Sequence, residues 1–287
     1  MTRTLRAVMQ EVLQDWRDDL PPDWRAVLAD AAPAFEAIDP ALTLAAWEPV
    51  FPARRGCVFL GAPKGSHMLH AFDAIAPADV RCVVLGQDPY PCPAFSTGRA
   101  FEAGNVAAWR ELDKMFSVSV RTFMQQIIAA RTGDARHAET TQGWRRVLAE
   151  IESGQLPFEP AAAIADRWVG SGALLLNSSF TITRFAVAGD PHQTRGHLPL
   201  WRPVLRAVLR HLAGRGVPTV FIGFGEQAGA ALHDAGIAAS DDGGTDAPVA
   251  CFLREHPARG DAVLALANPF VLCNAHLARH GRAGVDW

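Results

Sequence analysis

The chain reads as an α/β protein: a three-layer α/β/α sandwich around a four-stranded, mainly parallel sheet, with an N-terminal helical extension. Three observations predict this. Four short apolar runs, at residues 81–85, 173–176, 217–222 and 249–253, are unbroken rather than alternating. Helical patterns separate them. Each run ends abruptly in glycine and polar residues. Apolar strands alternating with helices indicate a parallel sheet buried on both faces.

Residues 1–50 form the expected extension, packed on a main domain at 51–287. Leu5, Val8, Met9, Val12, Leu13 and Trp16 recur at helical spacing until Pro21-Pro22 breaks the pattern. A second helix is expected from Trp24 to about Ala31. Between the first two apolar runs, helices are expected over 106–116, 120–131, 144–151 and 161–168. Between the second and third, Leu200, Val204, Leu205, Val208, Leu209 and Leu212 mark one face of a helix. A helix over 226–235 precedes the fourth run. A last one, over 268–280, stops at Gly281, as a helix with a left-handed glycine after its end does.

With 287 residues, 49% hydrophobic and 20% charged, the chain is long enough to bury a sizeable core. Its net charge of −3 announces no nucleic-acid binder, so any surface for DNA must be locally positive. The five cysteines are odd in number and never spaced as CxxC. This suggests free thiols in a reducing cytoplasm and neither a zinc site nor an iron–sulfur cluster. No apolar run looks long enough to span a membrane, and the polar start suggests no secretion. A cytoplasmic monomer without metal or cofactor is expected.

In open parallel sheets the ligand sits outside the carboxyl ends of the strands. The first run is followed there by Gly86-Gln87-Asp88-Pro89-Tyr90, and the second by Asn177-Ser178-Ser179. The third is followed by Gly223-Phe224-Gly225-Glu226, and the fourth by Arg254-Glu255-His256-Pro257. Tyr90 is the single tyrosine, beside 15 Phe and 8 Trp. An acid, an amide, an imidazole and a phenol therefore converge on one rim. Taken singly, each has a plainer explanation. Asp88 suits a turn cap, His256 a surface histidine, Asn177 a turn former and Phe101 a core residue.

Together these segments resemble the uracil-DNA glycosylases, most closely the first family. Gly86-Gln87-Asp88-Pro89-Tyr90 is similar to that family's water-activating motif. Leu174-Leu175-Leu176-Asn177 is similar to its uracil-binding segment, and His256-Pro257 to the start of its HPSPLS loop. Gly281-Arg282-Ala283-Gly284-Val285-Asp286-Trp287 resembles its terminus. The resemblance spans about residues 50–287. It implies a monofunctional hydrolase that flips deoxyuridine out of DNA and releases uracil, beginning base-excision repair. By the same resemblance Asp88 orients water, and His256, as neutral imidazole, donates to the leaving base. Gln87, Tyr90, Phe101 and Asn177 hold uracil. Phosphate contacts are expected at Ser119 and Arg259, and at His192 helped by Arg195, although a plain solvated loop is the favoured reading of His192. The alternative is a relative that binds uracil or abasic DNA with little turnover. A small-molecule hydrolase of the α/β class would need a G-x-S-x-G elbow, which is missing.

The chain also departs from the family. Pro91 stands where a histidine follows the tyrosine. After His256 the chain reads Ala258-Arg259-Gly260-Asp261-Ala262-Val263-Leu264, about two residues short. It has no leucine matching the one that fills the gap left by a flipped base. Either Val263 or Leu264 serves instead or nothing does, and Asp261 brings a negative charge toward phosphates. Single-stranded uracil DNA is therefore the expected favoured partner.

Overall fold

A computed structural model describes residues 2–57, 59–104, 106–114, 117–186 and 189–287. The chain opens with β1 (Thr2–Thr4), α1 (Leu5–Val12) and α2 (Pro22–Val27), then β2 (Thr43–Ala45). β3 (Cys82–Gly86) starts the main sheet. α3 (Ser117–Thr132), α4 (Trp144–Glu152) and α5 (Ile164–Gly170) lead to β4 (Ala173–Asn177). α6 (Leu198–Ala213) leads to β5 (Thr219–Phe224), and α7 (Glu226–Asp234) to β6 (Val249–Arg254). The short α8 (Asp261–Leu264) and then α9 (Pro269–Arg279) close the chain.

The sheet order is β4-β3-β5-β6, and every neighbouring pair is parallel. β3, β4 and β5 are buried at every position, which accounts for their unbroken apolar sequence. β3 lies between β4 and β5, so chain direction across the sheet reverses there. That reversal opens a crevice at the carboxyl ends of β3 and β5. Register places Gly86 opposite Asn177, Leu85 opposite Gly223 and Phe224 opposite Arg254. The four polar segments therefore do emerge along one rim. The helical face of α6 is buried as expected, from Leu200 to Leu212. Gly281 adopts φ 69°, and the Arg282 amide returns to the Leu277 carbonyl at 2.8 Å.

The first fifty residues share one hydrophobic core with the sheet. Leu5, Met9 and Trp24 are fully buried. The Trp24 indole donates to the Ile75 carbonyl at 2.7 Å and packs edge-on against Phe72. Asp19 pairs with Arg54, and Trp16 meets Trp201 edge-to-face. The extension is not purely helical, because β1 pairs antiparallel with β2. β1 is exposed at all three positions, so it leaves no hydrophobic pattern to read. The second helix ends at Val27, short of Ala31. Part of the helix expected over 106–116 is a 3-10 segment at Trp109–Lys114, while Met115 and Phe116 lie outside the described residues.

One composition-based expectation needs correcting. Asp261–Arg279, at mean hydropathy 1.3, is long and apolar enough to cross a membrane by those measures alone. It is split between α8 and α9, and it buries Val263, Phe270, Cys273 and Leu277 in the core. It is a core segment.

Because Trp24 ties the N-terminal segment to the rest, Trp24→Ala should destabilise the whole protein by about 3–5 kcal/mol. Urea unfolding followed by far-UV circular dichroism checks this. Loss confined to a minor early transition would show instead that residues 1–50 are energetically separate.

Candidate active site

The rim is built by hydrogen bonds that continue the β3–β4 pairing beyond the strands. The Ser178 amide and hydroxyl both donate to the Gly86 carbonyl, at 3.0 and 2.9 Å. The Ser179 amide donates to the Gln87 carbonyl at 3.1 Å. These bonds fix the backbone just before Asp88. Gly86 is needed for close approach: a Cβ there would lie 3.0 Å from Asn177 Oδ1 and 3.4 Å from the Phe101 ring. The result is a cavity of about 340 Å³ whose lining includes Gln87, Asp88, Tyr90, Phe101, Asn177 and His256. All six expected base-site and catalytic residues thus meet in one place.

Asp88 Oδ1 is buried and has no hydrogen-bond partner among the described residues. Burial raises this carboxyl to about 7, with the Gln87 side chain pulling the other way. Asn177 is 4% exposed, and its amide makes no hydrogen bond among the described residues. A buried amide left open in this way is ready for a ligand. Phe101 has φ 61°, an unusual conformation for a bulky side chain. One face of its ring stacks on Phe123 at 4.2 Å and 3°, and Phe224 meets it edge-on at 5.2 Å. Burial raises the Tyr90 phenol well above its ordinary value, and the Glu102 charge adds to this, so Tyr90 stays neutral.

His256 is an exposed residue on the cavity rim, yet desolvation of its ring lowers its pKa. Its Nδ1 accepts the Ala258 amide at 3.2 Å. In the neutral imidazole this leaves the proton on Nε2, as a donor. Gly225, at φ 88°, lets the neighbouring turn take a backbone conformation that other residues rarely adopt. Among the described residues, no group of three or more His, Cys, Asp or Glu side chains is placed to hold a metal ion.

The expected phosphate contacts fare unequally. Ser119 lines the cavity near the start of α3. Arg259 is exposed and pairs with Glu255 at 2.9 Å. His192 does not lie on a solvated loop: it is 3% exposed. Its Nδ1 hydrogen-bonds Thr183 at 2.9 Å, and its ring also bonds the Thr43 backbone. It is a strut and cannot reach a phosphate without leaving this network. Arg195 pairs with Asp39 at 2.6 Å. Asp261 accepts the Thr141 amide at 2.6 Å, which ties down the loop after His256. Val263 and Leu264 are buried, so neither can enter a base stack. Sequence reading missed several lining residues, Arg99, Phe185 and Gln193 among them. Arg99 is buried against Asp166 at 2.7 Å, and no local pattern marks it. Gln193 is 1% exposed and stood unnoticed beside the more conspicuous His192.

A buried carboxylate, an Nε2–H donor, an open amide and an aromatic face suit the cleavage of a bond to a planar, hydrogen-bonding base. The comparisons agree. A uracil-DNA glycosylase of Bordetella pertussis is 30% identical over 231 residues, covering 76% of this chain and 70% of that protein. The chain belongs to the uracil-DNA glycosylase family. The uracil-DNA glycosylase of bovine herpesvirus 1.1 is 29% identical over 218 residues, covering 74% and 82%. That of Exiguobacterium sibiricum is 28% identical over 166 residues, which is 58% of this chain and 59% of the relative. No family model matches the chain. In fold the chain is similar to mimivirus uracil-DNA glycosylase, with TM-score 0.57 and 13% identity over 99% and 93% of the two chains. It is likewise similar to the wild-type UNG of Nitratifractor salsuginis, with TM-score 0.53 and 21% identity over 92% and 93%.

In this uracil-DNA glycosylase family member, the desolvated acid has a cost in stability. Asp88 titrates near 7 when folded and near its ordinary 3.8 when unfolded. Between those values the native state holds a proton that the unfolded state releases. Stability therefore falls as pH rises through this window, and the full cost is present above it. Asp88→Asn should raise the Tm at pH 8, by roughly 2–4 °C per kcal/mol recovered. Scanning calorimetry at pH 8 and pH 4.5 should show that gain shrinking at the lower pH.

Proposed function

We propose that the protein hydrolyses the N-glycosidic bond of deoxyuridine in DNA, releasing uracil and leaving an abasic site for base-excision repair. The observation that carries this is the Asp88 carboxyl, its Oδ1 buried and without a hydrogen-bond partner among the described residues, in one cavity with Asn177 and His256. A protein that only bound uracil would have no use for so costly an acid.

The chemistry follows from the groups present. Breaking a deoxyribose–base bond leaves cationic character on the sugar and negative charge on the base. Ionised Asp88 stabilises the sugar and orients water toward its C1′. The His256 Nε2–H donates to the 2-keto oxygen of the leaving base, as an oxyanion-hole donor does. The Asn177 carbonyl accepts from uracil N3–H while its NH₂ donates to O4. Cytosine presents the reverse pattern and leaves both groups unmatched in a buried site, which gives strong rejection. Phe101 stacks on the base, Tyr90 fills the space a 5-methyl group needs, and the Gln87 backbone completes the pocket. The target nucleotide reaches this cavity only when flipped from the stack. We place the reaction in the cytoplasm and assign it to a monomer, with phosphates contacted by Ser119 and Arg259.

Uracil release from a labelled single-stranded oligonucleotide, read as alkali-sensitive cleavage, tests this directly. Wild type should cleave, and Asp88→Asn should lose about 10²–10⁴-fold in rate. Specific binding without cleavage would point to the non-catalytic alternative. The wild-type rate should also fall as pH drops through about 7, because the acid must be ionised. Burial lowers the pKa of His256, which favours its neutral form.

Strand preference follows from the loop after His256. Val263 and Leu264 are buried and Ala258 is small, so this loop offers no apolar group to compensate unstacking. Flipping costs a few kcal/mol in a duplex and little in a single strand. We therefore expect kcat/KM on single-stranded uracil DNA to exceed that on a duplex by about tenfold or more. Equal values would sink this preference.

A further inference from the structure

We infer that Phe185, on the loop between β4 and α6, is the side chain that enters the base stack when a uridine is flipped from a duplex. The inference rests on uracil excision being the activity of the site. Flipping leaves a gap one base thick, and proteins that open a base step hold it with an apolar side chain at the mouth of the site. Several large apolar side chains are exposed, among them Trp47, Leu60, Val118, Leu253 and Leu266. Of the exposed large apolar side chains among the described residues, Phe185 is the one that lines the cavity, and it is 47% exposed.

The loop that follows His256 cannot do this work. Ala258 lines the cavity but carries only a methyl group. Arg259 pairs with Glu255, and Asp261 is bound to the Thr141 amide. Val263 and Leu264 belong to the core. An aromatic ring, by contrast, presents a flat apolar face of the kind a base stacks on, whatever the base.

The chain leading to Phe185 is rigid, as an inserting group requires. Ile182 and Phe51 exchange backbone hydrogen bonds at 2.8 and 2.9 Å. The Thr183 hydroxyl hydrogen-bonds His192 at 2.9 Å and His197 at 3.2 Å. Arg184 pairs with Glu48, with one contact at 2.7 Å. Phe185 stands immediately after these three anchors. On this account the protein keeps single strands as its better substrate, and its residual duplex activity passes through Phe185.

The test compares wild type, Phe185→Ala and Phe185→Trp on one uracil-containing sequence as single strand and as duplex. The duplex-to-single-strand ratio of kcat/KM should fall about tenfold or more in Phe185→Ala and recover in Phe185→Trp. A second readout uses duplex carrying a non-cleavable uridine analogue with 2-aminopurine as the neighbouring base. Wild type should quench the 2-aminopurine by stacking, and Phe185→Ala should leave it bright. An unchanged ratio in Phe185→Ala, or a parallel loss on both substrates, would overturn the assignment. Absence of uracil release by wild type from either substrate would fail the activity itself, and this inference with it.

Discussion

The site depends on one constraint: the parallel register that sets Gly86 beside Asn177 and continues past both strands. Ser178 and Ser179 bond back to the carbonyls of Gly86 and Gln87. A slip of one residue would turn Asn177 out of the cavity and lift Gln87 off its partner. Gly86 is part of the same constraint, because a side chain there would press on the Asn177 amide and the Phe101 ring. Sheet pairing, usually a matter of stability, here places the acid of Asp88 and the amide of Asn177 at one cavity. β3 lies at the point where chain direction across the sheet reverses, and the cavity opens at that end.

Around this frame the protein tolerates groups that a core alone would reject. Asp88 Oδ1 is shielded yet unmatched, and Phe101 holds a left-handed backbone conformation. Each is unfavourable in isolation. They persist because the surroundings are over-determined: three buried sheet strands, a stack of Phe101 on Phe123, and edge contacts from Phe224. The same surroundings exclude water from Asp88 and so raise its pKa. Poor solvation and a raised pKa have one origin here.

A second buried network governs the segment after β4. Trp201 donates to Thr181, Thr181 meets His197, and Thr183 meets both His197 and His192. Burial holds His197 down at about 3, so its ring is neutral at physiological pH. These histidines are structural, and they carry the chain from Asn177 to the mouth of the cavity without slack. On the opposite side, the Asp261–Thr141 bond does a similar job for the loop bearing His256.

The sequence by itself determined the parts whose chemistry is local. Unbroken apolar runs marked the four sheet strands, and their polar endings named Asp88, Asn177 and His256, because strand ends of a parallel sheet must share a rim. Tertiary structure alone decided what depends on the environment of a side chain. His192 and Phe185 both lie between β4 and α6, and nothing in their sequence says that the imidazole is buried and the phenyl exposed. Burial of Val263 and Leu264 was equally invisible, since an apolar residue after a loop suits either a core or a wedge. The β1–β2 pair escaped notice because exposed strands leave no period. The pKa of Asp88 likewise belongs to the fold, since desolvation is set by what surrounds a carboxyl and not by its neighbours in the chain.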